Sequence, residues 1–207
     1  MLFSVLFGPG EKPVSLLPLN IDMYGMNVLV VGAGTVAARK IATMVEAGAA
    51  VRVVAPDITP DIAYLAAAGS ILLKQGAYET CDLHNASLVV AATDDSSLNR
   101  EIAEEARQRG LLVSVASEPM KGNITFPAQL RRGSLNVAVS TNGTCPAYAA
   151  VVRDIISDVI GEEYGTVLET LAAEREKLLT AGSTYNYNIK ILRARAQELL
   201  QEFVRKG

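Results

Sequence analysis

The chain has no tryptophan, a single histidine and only two cysteines among its 207 residues. Two thiols, Cys81 and Cys145, cannot build a disulfide framework or a cysteine cage for a metal, and they fit a reducing, cytoplasmic setting. His84 has no partner at ligand spacing, so it reads as a surface side chain and no metal site is expected. A basic excess is missing as well: 19 Lys and Arg stand against 22 Asp and Glu. Without a basic stripe the chain cannot neutralise a run of phosphates, which excludes a general nucleic-acid binder. Long apolar runs are also lacking. The segment 1–9 carries Leu2, Phe3, Val5, Leu6 and Phe7, but it has no basic start and is cut by Gly8-Pro9-Gly10, too short for a signal peptide or a membrane span.

What is present is apolar residue in quantity, 50% of the chain, enough for a real core. Its distribution alternates. Val14 to Asn20 reads as an extended segment, with Pro18 favouring a sheet edge. Asn27-Val28-Leu29-Val30-Val31 is a short β-branched run of the kind buried on both faces of a parallel sheet. Helical spacing follows from Val36 to Ala47, closed by Gly48, and Val51 to Val54 gives a second strand. The alternation continues with a helix over 59–68, strands over 70–74 and 87–92, a helix over 97–109 and a strand over 111–116. Strands alternating with helices predict an α/β, doubly wound parallel sheet of Rossmann type, whose ligands sit beyond the strands' carboxyl ends. The informative loops are therefore those after Val31, Val54, Ala92 and Ala116.

Beyond Pro119 the pattern changes. Asn123 to Pro127, the Arg131-Arg132-Gly133-Ser134 turn and Leu135 to Ser140 predict a small antiparallel unit, whose edge is available to another subunit. Pro146 opens a helix striped by Tyr148, Val151, Val152, Ile155, Ile156, Val159 and Ile160. Two further helices are expected over 166–179 and 188–204, the latter striped by Leu192, Ala196, Leu199, Leu200 and Phe203.

The strongest chemical signal is Gly32-Ala33-Gly34-Thr35-Val36-Ala37, directly between the first strand and first helix. Gly32 permits the tight turn, Gly34 lets the backbone approach a pyrophosphate, and small Ala37 lets the helix pack closely, while the helix start offers amides to the anion. An acid after the second strand accepts the ribose hydroxyls of NAD and repels a 2′-phosphate. Asp57 is the nearest one, and an ordinary turn acid is the equal alternative. Arg39 and Lys40 face either an anion or solvent. Thr93-Asp94-Asp95 ends a buried strand, where Thr93 and Asp94 meet cofactor ribose or the run merely caps the next helix. Ser140-Thr141-Asn142-Gly143-Thr144-Cys145-Pro146 joins a strand to a helix and either grips a carboxylate or forms a capped turn. Cys145 has no histidine to activate it.

The run Val30 to Lys40, then Ala91-Ala92-Thr93-Asp94-Asp95 with Leu98-Asn99, resembles precorrin-2 dehydrogenase, the sirohydrochlorin-forming part of sirohaem synthases. Phe126-Pro127-Ala128, Arg131 to Leu135 and Ala138 to Pro146 resemble that family's dimerisation segment and substrate-side loop, so the likeness covers about residues 14–159. It implies an NAD-binding domain over 1–118, a dimerisation segment over 119–145 and a helical domain over 146–207. It further implies a homodimer that oxidises the tetrapyrrole precorrin-2 to sirohydrochlorin with NAD, and in some members inserts ferrous iron. Precorrin-2 is rich in carboxylates, and Lys121, Arg131, Arg132 and the loop Ser140, Thr141, Asn142, Gly143, Thr144 are the donors available to it.

One position departs from the family. Where its members end a strand like Leu112 to Ala116 in an aspartate implied in both dehydrogenation and chelation, this chain has Ser117, followed by Glu118. A serine cannot replace a carboxylate as a base. The catalytic candidates are Glu118 and Ser117, with Asp94 the alternative acid to serve as base, and iron insertion is the activity placed most in question. The alternatives are a non-catalytic relative that holds NAD or a tetrapyrrole beside another pathway enzyme, and a nucleotide-sensing regulatory domain. The latter would not account for the Arg131-Arg132-Gly133 and Asn142-Gly143-Thr144 stretches.

Overall fold

The computed structural model describes residues 16–180 and 185–204. The expectations for 1–9 and for Val14 and Ser15 lie outside them. Contacts divide the chain after Phe126 into two compact units.

The first unit is a five-stranded parallel sheet, β1 (Asn27–Val31), β2 (Ala50–Ala55), β3 (Leu72–Gln75), β4 (Leu88–Ala91) and β5 (Leu112–Val115), in the order β3-β2-β1-β4-β5. The order reverses between β1 and β4, and the register sets Val31 beside both Val54 and Ala91. A crevice at the carboxyl edge follows from that reversal. Alternate residues of β1 serve opposite faces. Val28 and Val30 join Ala37, Ile41 and Met44 of α1 (Thr35–Glu46) and Ile62 of α2 (Pro60–Ala67). Leu29 and Val31 join Ile102, Ala103 and Ala106 of α3 (Ser96–Gln108). Leu29, Ile41, Ile62, Leu88 and Ile102 are fully buried, each contributing about 1.5–3 kcal/mol relative to exposure.

Two expectations need correction. Residues 16–20 of the extended segment expected over 14–20 join no sheet edge, and Leu17 and Leu19 are exposed; Pro18 has no amide to donate to a neighbouring ladder. Residues 123–127 form no strand either. Their first residues meet the outer edge of β5, where the Asn123 amide donates to the Val113 carbonyl at 2.9 Å and its side chain accepts from the Val113 amide at 2.7 Å. Asn123 Nδ2 also donates to the Leu111 carbonyl. Gly122 permits this approach, because a Cβ there would lie 2.6 Å from the Val113 carbonyl oxygen.

The second unit opens with the antiparallel pair β6 (Ala128–Arg132) and β7 (Leu135–Val139), joined through Gly133 at φ +56°. Three helices follow, α4 (Pro146–Val159), α5 (Glu163–Thr180) and α6 (Tyr185–Val204). Arg132 fastens this unit internally: its guanidinium donates to the Ile160 carbonyl and the Ser157 hydroxyl, each at 2.8 Å, and pairs with Glu162. Gly165 lets α5 press against the β6–β7 turn. Arg195 of α6 bridges to Glu174 of α5 at 3.3 Å. Among the described residues no helix is long and apolar enough to cross a membrane.

Candidate functional site

The first unit presents its ligand-facing loops at one edge, because parallel strands all end there. At the end of β1 the Gly32 amide donates to the Val54 carbonyl of β2 at 2.9 Å, and the Ala92 amide donates to the Val31 carbonyl at 2.8 Å. Gly32 stands at φ +107°, and a Cβ on it would meet the Ala92 carbonyl carbon at 2.6 Å and the Thr93 amide nitrogen at 2.9 Å. Gly32 is thus a packing glycine that lets the β1 and β4 loops touch. Gly34 is the opposite: a Cβ there would have nothing within 4 Å, so its surroundings are open to a ligand.

Gly34 is also the N-cap residue of α1, without a side-chain cap, and no acidic residue stands in the first turn. The amides of Thr35, Val36 and Ala37 therefore start the helix with positive potential and no competing carboxylate. Ala37 is fully buried against the sheet, as close helix packing demands, while Thr35 and Val36 are exposed. These residues fit a dinucleotide pyrophosphate: a bulky side chain is excluded at Gly32, space is left at Gly34, and unpaired donors point outward.

Asp57 lies exposed in the bend after β2. Thr93 is held by a residue that sequence reasoning gave no role: fully buried Asn99 accepts from the Thr93 amide at 3.1 Å and its hydroxyl at 2.8 Å, and donates to its carbonyl at 2.9 Å. An asparagine on the apolar stripe of α3 was the available signal. Asp95 caps α3, accepting from the Ser97 and Leu98 amides at 2.8 and 3.2 Å, and Asp94 is exposed. The Thr93 to Asp95 run thus caps a helix while its backbone abuts Gly32.

Ser117 is exposed after β5, whereas Glu118 is half-buried and paired with Arg100 of α3 at 2.9 Å. Lys121 is exposed at the end of a short 3₁₀ turn, Pro119–Lys121. Lys40 lies with its Nζ 4.1 Å from the centre of the Phe126 ring. Burial first, and then the Arg39 charge, push its pKa down to about 8.

The remaining candidates belong to the second unit. Arg131 is exposed on β6, whereas Arg132 is committed to the internal contacts above. The Ser140 to Cys145 loop is a self-bonded turn. Ser140 Oγ accepts from the Asn142 amide, Thr141 Oγ1 from the Cys145 amide, and Thr144 Oγ1 donates to the Thr141 carbonyl. Asn142 and Gly143 take positive φ, +53° and +80°. The Ser140 and Thr141 hydroxyl protons remain free to donate to a carboxylate. Cys145 and Cys81 are free, exposed thiols.

The model of a putative NAD(P)-binding family matches residues 19–128. The chain belongs to that family. In this NAD(P)-binding chain, residues 132–158 match a second model, described as sirohaem biosynthesis protein central. A siroheme synthase of Ectopseudomonas mendocina is 41% identical over 152 residues, 73% of this chain and 32% of that protein. One from Methylobacillus flagellatus is 36% identical over 168 residues, 81% of this chain and 36% of the relative. The chain thus spans about a third of the length of these relatives. The solved structure of SirC, precorrin-2 dehydrogenase, superposes with a TM-score of 0.75 at 29% identity, covering 92% of this chain and 100% of that one. The resemblance read from the sequence and the Rossmann-type fold are both borne out.

Proposed function

We propose that the chain binds NAD on the Gly32 to Ala37 loop and dehydrogenates precorrin-2 to sirohydrochlorin, a step of sirohaem synthesis. The observation that carries this reading is the correspondence with a precorrin-2 dehydrogenase over that protein's whole length. The open Gly34 and uncapped α1 start support it from the chain's own geometry. NAD is favoured over NADP because Asp57 is exposed beyond β2 and the turn 56–59 contains no basic residue to meet a 2′-phosphate.

Bound there, the nicotinamide would supply a hydride acceptor. Glu118 is the proton acceptor in this proposal, oriented by Arg100, because Ser117 has no carboxylate. Lys121, Arg131 and the Ser140 to Thr144 loop receive substrate carboxylates, and Arg132 is left to its structural contacts. Iron insertion is not included, since the carboxylate the family resemblance implies for it is Ser117 here.

The chain is further proposed to act as a cytoplasmic homodimer. α4 leaves Tyr148, Val151, Ile155 and Val159 between 54% and 68% exposed, and their spacing places them along one helix face. A second copy of that stripe would cover it.

Mixing purified protein with NAD and precorrin-2 and following the absorbance of sirohydrochlorin tests the activity. Turnover supports the proposal. NAD binding without turnover would replace it by a non-catalytic holder of cofactor or tetrapyrrole, the reading that Ser117 and the pairing of Glu118 favour.

A further inference from the structure

Lys40 stands apart from the other cations of the first unit. It is half-buried, and no carboxylate among the described residues lies within ion-pair distance of it. Lysines removed from water are ordinarily paired with an acid or discharged. Here the partner is the face of Phe126, 4.1 Å from Nζ. An aromatic face attracts a cation but more weakly than an anion does. Arg39 on the same helix is the charged neighbour, and the facing segment Ile124–Phe126 brings an aromatic ring and no ionisable group.

Its place on α1 gives this isolation a direction. Lys40 follows Val36 by four residues, so the two share a flank one turn apart. Helical side chains lean toward the helix start, which carries the stem of Lys40 toward the first turn and its unpaired amides.

We propose that Lys40 is the counter-charge for an anionic group of the bound ligand, a nucleotide phosphate or a substrate carboxylate, received on this flank of α1. The proposal rests on the ligand reading above and assigns it a residue. No bond is made or broken; an arriving anion strengthens the hold of the amine on its proton, so binding draws a proton from solvent.

Calorimetric titration at pH 8 in buffers of unlike ionisation enthalpy measures that uptake. Two probes are used separately on the full chain: NAD, and uroporphyrin I as a stable tetrapyrrole polycarboxylate. With a pKa of about 8 the amine is half-charged at that pH, so uptake of about half a proton is expected for the probe whose anion it receives. Uptake with NAD identifies a phosphate; uptake with uroporphyrin identifies a carboxylate. Lys40→Met should abolish the uptake and weaken that probe at least tenfold. Lys40→Arg keeps the charge without titrating, so it should bind within threefold of the natural chain and show no uptake. Binding of both probes without uptake, or uptake that persists in Lys40→Met, overturns the proposal alone. Failure of the natural chain to bind either probe overturns the ligand reading with it.

Discussion

Gly32 and Gly34 stand two residues apart in one loop, and replacing each by alanine should damage different properties. At Gly32 the new Cβ would lie 2.6 Å from the Ala92 carbonyl carbon and 2.9 Å from the Thr93 nitrogen, at a φ of +107°. Both obstacles are backbone, anchored by the Ala92 to Val31 hydrogen bond and by Asn99, so neither can step aside. Positive-φ strain of about 1–3 kcal/mol adds to an overpacking cost of about 1–3 kcal/mol, giving roughly 2–6 kcal/mol. With a urea slope of about 2 kcal/mol/M, the unfolding midpoint of Gly32→Ala should fall by roughly 1–3 M. Gly34 has φ −78° and nothing within 4 Å of a built Cβ, so Gly34→Ala should keep its stability within about 0.5 kcal/mol. Its methyl group instead occupies the approach of a pyrophosphate, and NAD affinity should fall at least tenfold, about 1.4 kcal/mol. Urea unfolding followed by circular dichroism and NAD titration by calorimetry measure the two effects. Full NAD affinity in Gly34→Ala, or natural stability in Gly32→Ala, would refute the division of labour between the glycines.

Lys40→Met should be more stable than the natural chain at pH 7, because burial holds the Lys40 pKa near 8 against an ordinary 10.5. The unfolded state binds more protons between those values, so stability of the natural chain rises with pH through that window. The gap between the two proteins, about 3 kcal/mol below pH 8, should close above pH 10.5 in urea unfolding. Glu118→Ala should abolish sirohydrochlorin formation while NAD binding and fold persist; undiminished turnover removes Glu118 as proton acceptor. Ile155→Glu places a charge in the exposed stripe of α4 and should convert a dimer to monomers in sedimentation equilibrium, with unchanged circular dichroism. Asn99→Ala leaves the Thr93 amide and hydroxyl without their buried acceptor, and a loss of about 1–3 kcal/mol in urea unfolding is expected.

The parallel sheet was legible because its strands are continuous apolar runs and its helices carry one stripe each. Gly32 reads as the glycine of a tight turn, and its second role, close packing against the β4 loop, is a matter of three-dimensional contact. Residues 123–127 misled because apolar Ile124 and Phe126 alternate as in a strand, yet the segment bonds to the β5 edge only at Val113 and Leu111, through the Asn123 and Ile124 amides and the Asn123 side chain. A side-chain amide standing in for part of a ladder has no periodic signature. The roles of Arg132 and Arg100 were hidden for a related reason. A charged residue in a turn or on an exposed helix reads the same in sequence whether its guanidinium meets solvent, a carbonyl or an acid. Asp95 could be read either way, and its two amide bonds place it as a helix cap.

The bonds that Asn123 makes along β5 also bear on solubility. A parallel sheet has two free edges, and an unpaired edge is a template on which another chain can add a strand. Here Asn123 occupies the outward amide of Val113 and the carbonyls of Val113 and Leu111. The opposite edge, β3, is four residues long and includes Lys74, which is engaged with Glu79 and Asp82. One edge is thus plugged by the backbone and side-chain amides of a single residue and the other is kept short and charged. Intermolecular β-pairing is thereby discouraged at both ends of the sheet, and loss of Asn123 would reopen a place for fibrous growth.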